Sequence, residues 1–91
     1  MPELEVSGEV ARRVAAALGN ETTLRILELV STRSLDVSTV AKKLGLTEST
    51  ISTDLQELET LGLIEVTYAK GKRGIRKICR LAKDRICIRL R

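Results

Sequence analysis

DVSTVAKKLGLTESTISTDLQELETL, residues 36–61, reads as a short helix, a tight turn and a longer helix. Ser38 can cap the first helix, and Val40, Ala41 and Leu44 give it an apolar face. Gly45 stands where helices commonly end in a left-handed residue, and Thr47, after Leu46, can cap the second helix. There Ile51, Leu55, Leu58 and Leu61 recur at three- and four-residue spacing and line one face. The opposite face carries Ser49, Thr50, Ser52, Thr53 and Gln56, small side chains that donate and accept hydrogen bonds. Two helices joined by a short glycine-bearing turn fit a helix-turn-helix over 38–61, with recognition helix 48–61 expected in a DNA major groove. Taken alone, the stretch also fits any two-helix piece of a small α-rich domain, so the flanks carry the decision.

Downstream, Leu61-Gly62-Leu63 marks a sharp exit, and the β-branched run from Leu63 to Tyr68 reads as a strand. Ala69 to Gly74 is a basic turn bounded by glycines, and Ile75 to Leu81 is the returning strand, so 63–81 forms a wing. A phosphate-cradling loop would need a helix and a Lys-Ser/Thr pair after the turn, and both are missing. Arg85 to Leu90 alternates, with Ile86, Ile88 and Leu90 facing one way and Arg85, Cys87 and Arg89 the other, which predicts a further strand. Upstream, residues 1–6 are expected to fray. Ser7 can cap a helix over 9–18 whose apolar stripe is Val10, Ala11, Val14, Ala15 and Leu18, suited either to packing within the chain or to a dimer seam. Gly19 and Asn20 end that helix and cap the next, near 21–31, where Leu24, Ile26, Leu27, Leu29 and Val30 predict burial on more than one side. Thr32 to Ser34 reads as a loop and Leu35 to Val37 as a short strand. The expected fold is therefore α+β, mainly α: a winged helix-turn-helix with a C-terminal β-wing and an extra C-terminal strand.

Ninety-one residues predict one domain, 1–91, with a core modest enough for a partner subunit to add useful buried area. No apolar run approaches membrane-spanning length and the opening MPELEVSGE is acidic, so a cytoplasmic protein off the membrane is expected. The net charge is +4, but residues 67–91 hold ten basic groups against one acidic, whereas residues 36–66 hold two against six. That asymmetry predicts a polyanion partner for the C-terminal part, with a solvated basic tail as the alternative. One Asn, one Gln and abundant Arg and Glu lean toward a thermophilic source. The absence of His removes the commonest general base and metal ligand.

ALGNETTLRILELV, Ala17 to Val30, resembles the segment that opens the core of ArsR-type winged-helix repressors. VSTVAKKLGLTESTISTDLQELETLGLI, Val37 to Ile64, is similar to that family's helix-turn-helix and its exit into the wing, a pattern shared with other winged-helix groups. The resemblance covers about residues 10–80. It implies a homodimeric transcription regulator on palindromic double-stranded DNA; whether the first helix or the last strand forms the seam is left open by the sequence. The recognition positions it carries over are Thr47, Glu48, Ser49, Thr50, Ser52, Thr53 and Gln56, and the wing positions are Lys70, Lys72 and Arg73. Many members carry a Cys-x-Cys metal site where this chain reads Leu35-Asp36-Val37-Ser38, and others use a His-rich C-terminal helix. Neither is present, so no metal or other cofactor is expected. The family also often places a basic or His residue where this chain has Asp54.

Affinity for duplex DNA comes largely from phosphate neutralisation, and the recognition helix bears Glu48, Asp54, Glu57 and Glu59 without a basic residue. The wing and the basic tail must supply it: Lys70, Lys72 and Arg73 are expected to reach the backbone or minor groove, Arg76, Lys77 and Arg80 to extend the surface, and Lys42 and Lys43 to clamp phosphates. Base reading falls to Ser49, Thr50, Thr53 and Gln56. Glu48 either accepts from a cytosine amino group or simply favours the helix dipole. The expectation is modest base specificity with a large salt-sensitive component. The alternatives kept open are an architectural, weakly specific DNA binder and a winged-helix protein-interaction module. Tyr68 is the single aromatic, which disfavours RNA or single-strand binding, and nothing assembles an enzyme site.

Cys79 and Cys87, eight apart, are not spaced like a zinc pair. They read as two small buried hydrophobes. If the last two strands form a hairpin centred on Lys83, they stand opposite each other and a disulfide within the chain becomes feasible. A disulfide between subunits or a redox switch is the remaining option.

Overall fold

The computed structural model describes residues 3–91. The order is β1 (Glu3–Ser7), α1 (Gly8–Leu18), α2 (Glu21–Thr32), β2 (Leu35–Asp36), α3 (Val37–Leu44), α4 (Glu48–Thr60), β3 (Ile64–Gly71), β4 (Gly74–Leu81) and β5 (Arg85–Arg89). Three strands form an antiparallel sheet in the order β2-β4-β3, and β1 pairs with β5 in a separate parallel ribbon. The helix-turn-helix and the wing therefore stand as expected.

Local chemistry explains the boundaries. The Asn20 side chain accepts from the backbone N–H groups of Thr22 and Thr23, at 2.9 and 3.2 Å, and starts α2. The buried Thr23 hydroxyl donates back to carbonyls of Ala17 and Asn20, which locks the α1–α2 corner. Gly45, at φ 67°, ends α3: its N–H donates to Lys42 O and that of Leu46 to Ala41 O, the paired bonds of a left-handed helix end. Gly62, at φ 83°, repeats this after α4, with Leu63 N–H donating to Leu58 O. The chain thus turns straight from the recognition helix into β3.

The core is built from one face of each helix and the inner side of the antiparallel sheet. Val14, Ile26, Val40, Ile51, Leu55, Leu58, Leu63, Ile64 and Cys79 are fully buried within it. Each large aliphatic side chain so removed from water contributes roughly 1.5–3 kcal/mol.

Several expectations are corrected. Residues 1 and 2 lie outside the described residues, but Glu3 to Ser7 do not fray: Leu4 and Val6 turn inward opposite Ile86 and Ile88, and the ribbon holds both ends of the chain. Ser7 occupies the cap position of α1 without a side-chain hydrogen bond. Of the α1 stripe, Val10 and Ala15 are exposed, whereas Ala17 is buried. Helix α2 buries a single face of Thr23, Ile26, Leu27 and Val30; Leu24 lies at the edge of that face and stays about two-fifths exposed. Asp36, not Ser38, caps α3, accepting from the Thr39 N–H at 2.8 Å. An ionised carboxylate one residue before the first turn out-competes a hydroxyl placed inside it.

The expected hairpin centred on Lys83 is absent. β5 turns away from β4 to pair with β1, where Cys87 stands opposite Glu5. Cys79 lies in the central strand β4, opposite Leu35 and Val66. Both thiols are free, so the geometry argued for a disulfide within the chain is not formed. Burial pushes the Cys79 thiol up from its ordinary value, which suppresses its thiolate, while Cys87 is half-buried. A thiol reagent on the native protein should therefore modify Cys87 first and Cys79 only on unfolding. Peptide mapping over a time course checks this; equal labelling at both would contradict the burial of β4.

Candidate nucleic-acid interface

Helix α4 presents two faces. Ile51, Leu55 and Leu58 point into the core, and Glu48, Ser49, Thr50, Thr53 and Gln56 are exposed, with Ser52 half-buried. Thr47 caps the helix, accepting from Thr50 N–H at 3.1 Å and donating to the Thr50 hydroxyl at 3.0 Å. Thr53 donates to Ser49 O at 3.1 Å. Thr47 and Thr53 are therefore partly committed to shaping the helix itself. Among the described residues, the side chains of Ser49, Ser52 and Gln56 make no hydrogen bond.

The wing stands beside this helix. Gly71 pairs with Gly74, so Lys72 and Arg73 alone form the turn, shorter than the six-residue turn expected, and β3 runs on to Gly71. Lys70, Lys72 and Arg73 are exposed and, among the described residues, take part in no ion pair. Lys42 and Lys43 sit exposed in the last turn of α3. Lys77 is half-buried in a cleft that also holds Asp36, Ser38, Glu48, Ser52, Ile75 and Arg76, joining the wing to the start of α4.

Not every expected cation is free. Arg76 reaches Asp36 with its Nε at 3.0 Å and a terminal nitrogen at 2.6 Å. Arg80 pairs with Glu65 across the β3–β4 ladder. Thr39 and then Arg76 hold the Asp36 carboxyl well below the usual range, at about 2. A depressed carboxylate contributes stability that is full above its unfolded value near 4 and is lost as pH falls through about 2. That contribution is intact at neutral pH.

Sequence reasoning missed a second ion pair. Arg13 of α1 grips Glu57 of α4 with two hydrogen bonds, at 3.2 and 2.5 Å. It ties the recognition helix to α1, but both side chains are about two-fifths exposed, so solvent screens the pair and it adds little to stability. Asp54, one turn earlier, lies half-buried in the same α1–α4 groove, and burial raises its carboxyl pKa. The exposed apolar Tyr68 and Ile75 on the wing were also missed as a surface feature; Ile75, between Gly74 and Arg76, carries no local signal of its exposure. Among the described residues no group of three or more His, Cys, Asp or Glu side chains gathers as metal ligands would. Nor is any helix among them long and apolar enough to cross a membrane.

A polar recognition-type helix beside a basic two-stranded wing, on a base of packed helices, defines a winged helix-turn-helix protein. The family model of bacterial regulatory proteins of the arsR family matches residues 20–66, and the chain belongs to that family. It is similar to the homodimeric winged helix-turn-helix DNA-binding domain (fragment 1–100) of a possible ArsR-family transcriptional regulator from Mycobacterium bovis. Identity is 32% and the TM-score 0.71, over 84% of this chain and 67% of that one. It is also similar to HlyU from Vibrio cholerae, at 27% identity and TM-score 0.66 over 82% of this chain and 77% of that one. NolR from Sinorhizobium fredii shares 25% identity with a TM-score of 0.68, over 84% and 72% of the two chains. None of the curated proteins matches the chain significantly.

Proposed function

We propose that this chain is a homodimeric transcription regulator that binds double-stranded DNA in the cytoplasm and has no enzymatic activity. The observation that carries the reading is the pairing of an exposed hydrogen-bonding face on α4 with three wing-tip cations that, among the described residues, have no ion-pair partner. Ser49, Ser52 and Gln56 reach base edges in the major groove, helped by Thr50 and Thr53, while Lys70, Lys72 and Arg73 take the backbone or the adjacent minor groove. Lys42, Lys43 and Lys77 add phosphate contacts. The homodimeric DNA-binding neighbour from Mycobacterium bovis supports the dimer. Two copies then place two recognition helices about one helical turn of DNA apart, roughly 34 Å.

A second reading, an architectural binder with little base preference, is favoured by one observation. Helix α4 carries Glu48, Asp54, Glu57 and Glu59 and no basic side chain, so nothing on it pulls the helix toward phosphate. Selection from a random duplex library near physiological salt separates the two. A palindromic motif is expected for the regulator. Salt-sensitive binding without a motif supports the architectural binder, and no binding of any duplex rejects both.

A further inference from the structure

Arg76 lies on the face expected to meet DNA, yet its guanidinium is engaged elsewhere. β2 is two residues long and bridges β4 only at Leu35–Cys79 and Asp36–Ile78. Toward the tip, residues 74–77 of β4 have, among the described residues, β3 as their only strand neighbour, and Ile75, Arg76 and Lys77 face the starts of α3 and α4 across an open cleft. The Arg76–Asp36 pair spans that gap. Both guanidinium contacts fall on Asp36 Oδ2, while Oδ1 accepts the Thr39 N–H at the start of α3. One carboxylate thus fixes the first helix of the motif with one oxygen and the wing with the other. The Asp36 side chain is only 14% exposed, which shields the pair from solvent screening on that side.

Gly71 makes room for this arrangement. A Cβ on Gly71 would stand 2.6 and 2.7 Å from Cδ and Cγ of Arg76. The Arg76 stem therefore crosses the end of β3 where a glycine leaves room for it. A longer residue there would displace the stem although neither charged group had changed.

We infer that Asp36, Arg76 and Gly71 form a tether that sets the pose of the wing against the helix-turn-helix, with Arg76 a positioning residue rather than a phosphate contact. Because the guanidinium charge is already matched by a carboxylate, its approach to a phosphate would release no net counterion. The tether instead holds Lys70, Lys72 and Arg73 at a fixed distance from α4, which keeps wing and recognition helix in register on the same duplex. For its effect on DNA, this inference rests on the function proposed above; the tether itself does not.

The test uses Asp36→Asn, Arg76→Gln, Gly71→Ala and the Asp36→Asn/Arg76→Gln double variant. Asparagine keeps an oxygen that accepts the Thr39 N–H, so the cap survives while the ion pair is removed. Without DNA, amide hydrogen exchange along residues 74–77 should speed up severalfold in all three single variants. Unchanged exchange in all three overturns the tether, whatever the protein binds. With the selected duplex, each single variant should bind roughly fivefold more weakly, the double variant no more weakly than either single, and the salt dependence should stay that of the wild type. Tighter binding by Asp36→Asn, or a shallower salt dependence confined to Arg76→Gln, would instead make Arg76 a phosphate contact and overturn the inference. Failure of the wild type to bind any duplex rejects the proposed function and leaves the exchange measurement to decide the tether.

Discussion

Leu55→Ala should lower the free energy of unfolding by about 3 kcal/mol, the middle of the range for truncating a fully buried leucine. Leu55 is wholly buried on the inner face of α4, in one cluster with Ile26, Val40, Ile51, Leu58 and Leu63. Its removal strips dispersion attraction from several elements at once and leaves a void that the fully buried Ile51 and Leu58 on either side cannot close without leaving their own sites. For a domain of this size such a loss corresponds to a midpoint shift of roughly 12–24 °C, at about 4–8 °C per kcal/mol. Thr53→Ala, two residues away on the exposed face, should change stability by less than about 0.5 kcal/mol. Urea titrations of both variants at one fixed protomer concentration provide the comparison, since dimerisation makes the midpoint depend on concentration. A loss below about 1 kcal/mol at Leu55 would contradict the assignment of the inner and outer faces of α4, and with it the identity of the residues offered to DNA.

That assignment is what the sequence makes most legible. Three- and four-residue spacing of Ile51, Leu55 and Leu58 is a local signal, set by helix geometry alone, and the buried face matches it. The same holds for Gly45, Thr47 and Asn20, whose cap roles depend on neighbours within four residues. What failed depends on partners far away in the chain. Whether β5 folds back on β4 or crosses to β1 is decided by packing of Ile86 and Leu4 against the core, which no spacing within 79–90 encodes. Val10 and Leu24 show the converse: both fit an apolar stripe, but the described residues leave each about two-fifths exposed.

The site divides in the same way. Exposure of Ser49, Thr50 and Gln56 follows from helix period. The state of each cation does not, because it depends on which carboxylate the fold brings near. Arg76 and Asp36 are forty residues apart and Arg13 and Glu57 forty-four, so their pairing appears only in three dimensions. Asp36 did carry a local signal, as an aspartate immediately before an apolar-periodic helix. Weighing it against Ser38 by charge as well as by position would have found the cap, though not its second oxygen's partner.

Replacing Lys70, Lys72 and Arg73 together by Gln should weaken duplex binding by roughly three to four orders of magnitude near physiological salt and flatten its salt dependence, while leaving the preferred sequence in place. These three are exposed at the wing tip and, among the described residues, have no carboxylate partner, so each can release a counterion when it meets a phosphate. The slope of log affinity against log salt changes by about 0.9 for each phosphate left without its cation. Three such phosphates per protomer, doubled by two-fold symmetry, would therefore cut it by about 5. The recognition helix has no positive charge to compensate, and Glu48, Asp54, Glu57 and Glu59 make its own electrostatic contribution unfavourable. Gln56→Ala is the informative contrast: it should leave the slope unchanged and relax preference at one base position, where a glutamine pairs best with adenine. Binding measured across a salt series, with the selected site and single-base variants of it, reads both quantities. If the triple variant keeps the wild-type slope, the wing does not touch DNA and the basic stretch 67–91 serves another polyanion. If it loses base preference as well as affinity, the wing rather than α4 reads sequence, and the division of labour between the two elements is reversed.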